Sequence, residues 1–299
     1  MLKVWAKQSD IAKEAGVSLA TVDRVLNKRP GVSVRTANKI WKAVEQLQQE
    51  GSALTPALKD SLKFDVVLPA GPNTFLNILE QEMRHLDEMM AHENIEIEVH
   101  RVDGFSPEIL SNQLLALGDS SDGIAVMALE NPLVREAVNR LSEKNVPVVT
   151  LVSNLSTENI IGYVGLNNRG AGRTAAYILN LISQNKATAE TPASIALFEG
   201  SLDLAYSDHQ EREFGFNDAI REYGSHINVV GKWATQDNHD EAYKQTMEVL
   251  KIHPDLNAIY CIGGGARGVG RALEDAGRGQ DILFIAHEIT NYTRDYLLR

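Results

Sequence analysis

The sequence predicts a small all-α head followed by a larger α/β body with two parallel β-sheets flanked by helices. Apolar residues recur at helical spacing through the first fifty positions, and nine short apolar runs alternate with amphipathic stretches further on. Between these two patterns, glycine, serine and proline interrupt the helical spacing. We therefore divide the chain into a head over residues 1–50, a linker over residues 51–62 and a body from residue 63.

Three short amphipathic helices are predicted in the head. Gly16 is suited to end the first helix in a left-handed conformation, Ser18 to cap the second and Ser33 to cap the third. The tight turn over residues 15–18 joins the first two helices into a helix-turn-helix, whose second helix fits the major groove of DNA. From periodicity alone, a three-helix packing unit with no role on DNA stays open as the alternative.

Charge separates the head from the rest of the chain. The net charge is -11, yet residues 1–50 contain nine lysines and arginines against five acidic residues, a surplus of four positive charges. The remaining residues contain 20 basic and 35 acidic side chains and are strongly acidic. A basic head on an acidic body favours contact between the head and a polyanion, and a solvated basic face is the alternative.

The second helix carries the side chains suited to DNA. It is predicted to bury Val22, Val25 and Leu26 and to turn the opposite face outward. On that face, Leu19 and Ala20 suit base edges and thymine methyl groups, and Arg24 suits the acceptors of a guanine. Hydroxyl and amide groups suited to phosphate contacts complete the predicted set at Ser18, Thr21 and Asn27.

Two stretches of the head carry a family resemblance. Residues 11–18 (IAKEAGVS) and 21–27 (TVDRVLN), followed by Gly31-Val-Ser33 and Thr36, closely resemble the head of the lactose-repressor (LacI) family of transcription regulators. The resemblance implies that Leu19, Ala20 and Arg24 read bases.

Three departures from the family pattern accompany this resemblance. Asp23 stands where the family commonly has Ser, so its negative charge would lie near phosphates unless it pairs with Arg24 or accepts from a cytosine amine. Lys7 stands where a Thr usually caps the first helix, so fraying of that helix and capping by Ser9 both stay open. The family's hinge signatures are missing from the linker, so a minor-groove hinge helix and an ordinary disordered linker both stay open.

The body contains nine strand-like runs, most of them separated by amphipathic stretches of helical length. This alternation is typical of right-handed βαβ units, and nine strands suit two sheets better than one. The predicted strands are Phe64–Pro69, Ile95–Val102, Gly123–Leu129, Val146–Val152, Tyr163–Leu166, Ile195–Glu199, Val229–Trp233, Ala258–Ile262 and Ile282–Ala286.

The order of these runs resembles the two-lobed periplasmic-binding-protein fold that LacI-family members carry behind the head. Residues 163–175 look like the first crossing between lobes, Arg212 like the arginine of the second lobe and His287-Glu288 like the return to the first lobe. The resemblance implies a first lobe over residues 63–168 plus 288–299 and a second lobe over residues 169–287. The family normally continues for several more elements, so we expect this chain to be truncated at its C-terminus.

The effector site is predicted where open parallel sheets bind ligands, beyond the carboxyl ends of the strands. Amide, hydroxyl, guanidinium and carboxylate groups beside an aromatic face suit a polyhydroxylated molecule such as a sugar or sugar acid. For Phe75 the alternative is core packing, and for Arg212 and Glu288 it is a surface ion pair. The predicted residues are Asn73, Phe75, Ser153, Asn154, Arg212, Gly264, Gly265 and Glu288.

Enzymatic chemistry finds little support in the sequence. The spacing Gly263-x-Gly265-x-x-Gly268 matches a dinucleotide-binding turn, but it follows at least seven other strands instead of opening the first βα unit. His209 and His239 have acidic neighbours but no zinc or hydrolase motif, so we interpret them as solvated helix caps. Glu288 has no evident partner for glycoside cleavage. We therefore predict no catalytic residue, no cofactor and no metal ion.

The sequence as a whole predicts a ligand-responsive transcription regulator, a repressor that binds a near-palindromic double-stranded DNA operator as a homodimer. One cysteine, Cys261, and the absence of any apolar run of membrane-spanning length predict a cytoplasmic protein without membrane contact. Two alternatives stay open. One is a small-molecule receptor whose head binds protein instead of DNA, and the other is a sugar-modifying enzyme.

Overall fold

A computed structural model describes residues 8–27, 29–53, 61–103, 105–183, 188, 190–200, 206–223 and 226–298. The chain forms two compact units, Met1–Asp60 and Ser61–Arg299, which correspond to the predicted head and body. Lys7, and with it the departure at that position, lies outside the described residues, as do residues 54–60 of the predicted linker.

The head contains the three predicted helices, α1 (Gln8–Ala15), α2 (Leu19–Leu26) and α3 (Val34–Ala53). Gly16 has φ 64° and ends α1 in the left-handed conformation, as predicted. The hydroxyls of Ser18 and Ser33 accept from the backbone N–H of Thr21 and Thr36, both at 3.2 Å, as predicted caps do. The core between the helices is formed by Ile11, Ala12, Val22, Val25, Ile40, Ala43 and Val44.

Two expectations about the head are wrong. Ser9 does not cap α1, because it lies inside the helix and its hydroxyl donates to the carboxylate of Asp10 at 3.3 Å. The helical pattern was predicted to break at Gly51, yet α3 continues to Ala53. A single glycine lowers helix propensity by about 1 kcal/mol, which a helix of 20 residues tolerates.

The first lobe is a five-stranded parallel sheet in the order β2-β1-β3-β4-β5. Its apolar core includes Val66, Leu68, Leu114, Val126 and Leu141. The strands are β1 (Leu62–Pro69), β2 (Ile95–Val102), β3 (Gly123–Val126), β4 (Val148–Leu151) and β5 (Gly162–Val164), and the helices are α4 (Thr74–Met90), α5 (Pro107–Leu117) and α6 (Pro132–Glu143), with a 3-10 turn at Ala91–Glu93.

The second lobe is a four-stranded parallel sheet in the order β7-β6-β8-β9, with one buried apolar cluster on each side. All nine predicted strands are therefore present, divided between two sheets. The elements are α7 (Asn168–Ser183), β6 (Ala193–Glu199), α8 (Ser207–Tyr223), β7 (Ile227–Ala234), α9 (His239–Ile252), β8 (Ala258–Cys261), α10 (Ala266–Asp275), β9 (Leu283–Ala286) and α11 (Asn291–Leu297).

Two glycines let α7 and α8 pack backbone to backbone. A Cβ added at Gly172 would lie 1.8 Å from the carbonyl oxygen of Arg212, and one added at Gly215 would lie 1.9 Å from that of Arg169. Any side chain at these positions would force the helices apart. Their close approach places Asn168, at the start of α7, beside the buried side chain of Arg212.

Helix α11 packs against α10 of the second lobe. A Cβ added at Gly270 of α10 would lie 2.3 Å from the ring of Tyr296, and the guanidinium of Arg267 lies 4.2 Å from the ring centre of Tyr292. The assignment of residues 288–299 to the first lobe stays a prediction. Among the described residues, no helix combines the length and the apolar composition that crossing a membrane requires.

Candidate functional site

One face of α2 carries both polar and apolar side chains and lies outside the head core. Leu19, Ala20 and Arg24 are exposed, and Leu19 retains 53% of its accessible surface. Val22 and Val25 lie on the opposite face and are buried against Ile11 and Ile40. The predicted base-reading side chains therefore share one outward face of a helix that is anchored by its other face.

Asp23 on this helix has a different partner from the one expected. Its carboxylate accepts from Asn27 Nδ2 at 2.6 Å and from Arg29 Nη1 at 2.9 Å. Of the two alternatives for Asp23, pairing with Arg24 does not form, because Arg29 follows the end of α2 and reaches back along it to the carboxylate. Arg24 has no described side-chain partner, whereas the amide of Asn27 already donates to Asp23. The role of Asn27 at a phosphate stays a prediction.

The cleft of the body lies where the carboxyl ends of both sheets meet, and strained backbone marks its edges. Val152 follows β4 with φ 61°, Gln236 and Asp237 follow β7 with φ 51° and 50°, and Glu288 follows β9 with φ 69°. Left-handed backbone is unfavourable for a β-branched residue such as Val152 and concentrates at functional sites. The strain supports the predicted location of the effector site.

Hydrogen bonds connect the two lobes directly across this cleft. Ser153, which follows β4 in the first lobe, accepts from the backbone N–H of Ser207 in the second lobe at 3.0 Å. The hydroxyl of Ser207 donates to the carbonyl oxygen of Asn154 at 2.7 Å. On the other side of the cleft, Thr74 Oγ1 lies 2.9 Å from His239 Nε2. The lobes are therefore closed on one another.

Arg212 organises the interior of the cleft. Its side chain is 3% exposed, which excludes the alternative of a surface ion pair. Its Nε donates to Asn168 Oδ1 at 2.9 Å and its Nη1 donates to the carbonyl oxygen of Ile262 at 2.8 Å. Two carboxylates lie slightly further away, Glu288 Oε1 at 3.9 Å from Nη1 and Asp208 Oδ2 at 3.8 Å from Nη2. The guanidinium is thus fixed by amide and carbonyl groups and faces two acids.

Burial sets the protonation of two groups that follow β9. The pKa of Glu288 is raised to about 7, chiefly by burial; the Arg212 charge opposes this shift, and Asp237 and Asp208 add to it. Burial and then the nearby Arg212 charge lower the pKa of His287 to about 3. The imidazole of His287, 2.9 Å from the hydroxyl of Tyr260, is consequently neutral near pH 7.

The glycine turn after β8 serves packing instead of phosphate binding. Asp237 Oδ1 accepts from the backbone N–H of Gly264 at 2.6 Å and fills the place where a phosphate oxygen would bind. Gly265 has φ 104° and precedes α10. A Cβ added at Gly268 would lie 1.9 Å from the carbonyl oxygen of His239, so this glycine allows α9 and α10 to touch.

The remaining predicted effector residues lie around the same cleft. Asn73 Oδ1 caps α4 by accepting from the backbone N–H of Phe75 and Leu76. Phe75 packs partly against the first-lobe core, so the core-packing alternative holds for part of its ring. Asn154 Oδ1 accepts from Thr150 Oγ1 at 2.8 Å. A small cavity between the lobes is lined by Asn73, Phe75, Gly264, Gly265 and Glu288 among others. Their role in effector binding stays a prediction.

Sequence reasoning missed three cleft side chains, Asp208, His209 and Asp237. The interpretation of His209 as a solvated cap is wrong, because it is buried together with Asp208 and lies beside Gly263. His239 is only half-buried and bonds to Thr74. The sequence did offer a signal for these residues, because Asp208 and His209 lie in the first turn of α8 and Asp237 precedes α9. Their burial could not be predicted, since it depends on contacts with residues distant in sequence.

One group among the described residues has the spacing of a metal site. Ligand atoms of Asp65, Glu98 and His100 lie within 4.8 Å of one another on β1 and β2. Three of the ligand atoms already have partners: His100 Nε2 lies 2.7 Å from Asp65 Oδ1, and Lys63 donates to Glu98 at 2.7 Å. The other oxygen of Asp65 is buried without a hydrogen-bond partner among the described residues. The group lies in mid-strand and belongs to the sheet, not to the cleft.

Comparison with known proteins agrees with this architecture. Residues 8–48 match the model of bacterial regulatory proteins of the lacI family, and residues 64–299 match that of a periplasmic binding protein domain. Catabolite control protein A of Priestia megaterium is 28% identical over 80% of this chain and 69% of its own length. The ribose operon repressor of Halalkalibacterium halodurans is 24% identical over 84% of this chain and 70% of its own length.

Solved structures resemble the body. GanP, a glucose-galactose binding protein from Geobacillus stearothermophilus, superposes with a TM-score of 0.67 at 26% identity, covering 80% of this chain and 82% of its own. A solute binding protein from Burkholderia graminis in complex with D-arabinose gives a TM-score of 0.69 at 20% identity, covering 82% and 81%. The chain therefore combines a lacI-family helix-turn-helix head with a two-lobed body that belongs to the periplasmic binding protein domain family.

Proposed function

We propose that the protein is a sugar-responsive DNA-binding repressor that acts in the cytoplasm as a homodimer on a near-palindromic operator. The observation that carries the proposal is the exposed face of α2, where Leu19, Ala20 and Arg24 project away from the head core. An exposed leucine beside an arginine on a capped, rigid helix suits a major groove, where apolar and guanidinium groups discriminate base pairs.

The cleft supports a polyhydroxylated effector. Arg212 offers donors, the acids around it offer acceptors, and Asn73 and Phe75 add an amide and an aromatic edge. Sugar sites in proteins combine such groups, because each hydroxyl both donates and accepts. The names of the similar proteins, a ribose operon repressor and a glucose-galactose binding protein, support the same ligand class.

We propose that the effector controls the closure of the two lobes. The contacts Ser153–Ser207 and Thr74–His239 form only when the lobes meet. An effector that binds between the lobes changes the population of this closed state, and a coupling of about 1 to 3 kcal/mol changes DNA affinity about 5- to 150-fold.

The DNA-binding part is tested by selecting operator fragments with the full chain and then measuring their affinity for Arg24→Ala. Arg24→Ala should lose about 1 to 3 kcal/mol of binding free energy and discriminate less at one base pair. Arg35→Ala is the matched control, because it removes the same charge from exposed α3 and should weaken all sequences alike. No sequence-selective binding by the unmodified chain would overturn the proposal and favour a protein-binding head.

The effector part is tested by adding single sugars to the operator complex. At least one sugar should shift the operator affinity within the range given above, and the same sugar should stabilise the body against unfolding. A ligand at 100 times its Kd adds about 2.7 kcal/mol. Chemical turnover of that sugar by the protein would support the alternative of a sugar-modifying enzyme.

A further inference from the structure

Five side chains form a continuous group inside the cleft, which we call the cleft charge cluster: Asp208, His209, Arg212, Asp237 and Glu288. Arg212 lies between Glu288 at 3.9 Å and Asp208 at 3.8 Å, and Asp208 Oδ2 lies 3.7 Å from His209 Nε2. A Cβ added at Gly263 would lie 2.7 Å from both His209 Cε1 and Asp237 Oδ1, so these two side chains converge on the same point.

Negative charge exceeds positive charge in this cluster. Three carboxyl groups face one guanidinium, and the neighbouring His287 is neutral because burial lowers its pKa to about 3. Lys232 does not compensate, since it pairs with Glu199 and Glu213. Arg267 is exposed and stacks on Tyr292. Unpaired carboxylates are unfavourable away from water, so the cluster favours a cation or a proton.

Two buried atoms of the cluster have no hydrogen-bond partner among the described residues, Asp208 Oδ1 and His209 Nδ1. Asp208 is 2% exposed and His209 is 5% exposed, so bulk water does not supply the partner. A carboxylate oxygen only accepts, and the partner it lacks is therefore a donor. Buried polar atoms without a hydrogen-bond partner indicate that a ligand or a water molecule binds there.

The groups that could hold an anion already have acidic neighbours. Arg212 donates to Asn168 and to the carbonyl oxygen of Ile262, and its remaining N–H groups lie near Asp208 and Glu288. The backbone N–H of Gly264 donates to Asp237. A carboxylate or phosphate at this cluster would therefore lie beside three acidic groups, with Arg212 as the one guanidinium of the cluster to offset them.

We propose that the cleft selects a cationic carbohydrate, an amino sugar whose ammonium group is bound by Asp208, Asp237 and Glu288, and that it rejects sugar acids and sugar phosphates. This inference rests on the proposed sugar-responsive function. An ammonium group supplies three donors and one positive charge, which match the unpartnered acceptor and the surplus of carboxylates. The inference narrows the sequence prediction of a sugar or sugar acid.

The test compares matched sugars on the full chain by calorimetry at pH 6.5, where the amine of an amino sugar is protonated. Each set contains the amino sugar, the neutral sugar and the uronic acid: glucosamine, glucose and glucuronate, then the corresponding galactose set. The N-acetyl forms remove the charge but keep the nitrogen. In at least one set the amino sugar should bind about tenfold more tightly than the neutral sugar, equivalent to about 1.4 kcal/mol, with the uronate weakest.

Two variants identify the groups responsible. Asp237→Asn and Glu288→Gln should each reduce the ratio of amino-sugar to neutral-sugar affinity at least about threefold, because each removes one partner of the ammonium group. Asp119→Asn is the matched control, since Asp119 is exposed and pairs with Lys144 far from the cluster in the first lobe. Circular dichroism and the thermal midpoint of each variant establish that it folds.

The outcomes separate this inference from the proposed function. Neutral sugars that bind as tightly as amino sugars in both sets would overturn the cationic preference and leave a sugar-responsive repressor intact. Uronates that bind most tightly would overturn it in the same way. If no sugar of any charge binds, the proposed effector class fails and the inference fails with it.

Discussion

The two sites of this protein are built in opposite ways. Helix α2 and its flanking residues Ser18 and Asn27 supply all the proposed DNA contacts, and α2 is anchored only through its opposite, buried face. The cleft charge cluster takes three buried and two half-buried side chains from α8 and from the segments after β7 and β9. In the head, the proposed function is therefore separable from folding. In the cleft, the side chains that we propose bind the ligand also hold the lobe together.

Replacing Arg212 by methionine should show the largest effect. Arg212→Met removes the one guanidinium between Asp208 and Glu288 and leaves both acids uncompensated. Removing one partner of a buried ion pair lowers the unfolding free energy by about 3 to 5 kcal/mol, because the other charge is left buried and uncompensated. We expect the second lobe to lose that much unfolding free energy and the effector response to disappear.

The second lobe has its own reporter for this measurement. With Trp5 and Trp41 replaced by phenylalanine, the fluorescence of Trp233 on β7 follows urea unfolding of that lobe alone. Arg173→Met is the control, because Arg173 pairs with Glu222 on the surface, where solvent screens the pair and its removal should change the unfolding free energy little. Equal losses for both variants would contradict the contrast between buried and exposed groups.

Glu288→Gln should have an effect of intermediate size that depends on pH. The pKa of Glu288 is raised to about 7 in the folded state from an ordinary 4.5, with Arg212 opposing and Asp237 and Asp208 adding to the burial. The folded state therefore holds the proton more tightly than the unfolded chain. As pH rises from 4.5 through 7, the wild type should lose stability relative to the variant, by up to about 3 kcal/mol.

The quantity to measure is the difference in unfolding free energy between the wild type and Glu288→Gln, by urea unfolding from pH 5 to pH 8. Because the pKa of His287 is lowered to about 3, this residue destabilises the folded state as pH falls. The effect is the same in the wild type and in the variant, so it cancels in the difference between them. Glu222→Gln is the control: hydrogen bonding to Arg173 lowers the pKa of Glu222, so this carboxyl stays ionised in both states across the range and its difference should not change with pH. A Glu288→Gln difference that stays constant across this range would show that the carboxyl is not buried from water.

The recognition helix was predictable because its determinants are local. Ser18 caps α2 from the adjacent turn, and Gly16 ends α1 three residues before α2 begins. Buried residues recur along both helices with the helical period. Even here, Arg29 was missed as the partner of Asp23. That pairing depends on the chain reversing after α2, which the helical period does not describe.

The cleft was only partly predictable. The positions of strand ends gave Asn73, Ser153 and Glu288, because parallel strands bring their carboxyl ends to one edge, and the family resemblance gave Arg212 on α8. The burial of His209 and Asp208, and the reach of Asp237 to Gly264, arise from contacts between segments 27 to 54 residues apart. Neither a motif nor a period encodes such contacts.

The smallest expected effect returns to the head. Asp23→Asn removes a negative charge from the exposed recognition helix and loosens Arg29, whose Nη1 now lies 2.9 Å from the Asp23 carboxylate. Because both groups are exposed, the stability of the head should change by less than about 0.5 kcal/mol. Operator affinity should rise severalfold and the slope of log affinity against log salt should steepen by about one, since a freed arginine neutralises one more phosphate. Glu14→Gln removes the same charge from α1 and should leave the slope unchanged. If both variants steepen the slope equally, the gain comes from net charge, and the Asp23–Arg29 pair has no separate role in DNA binding.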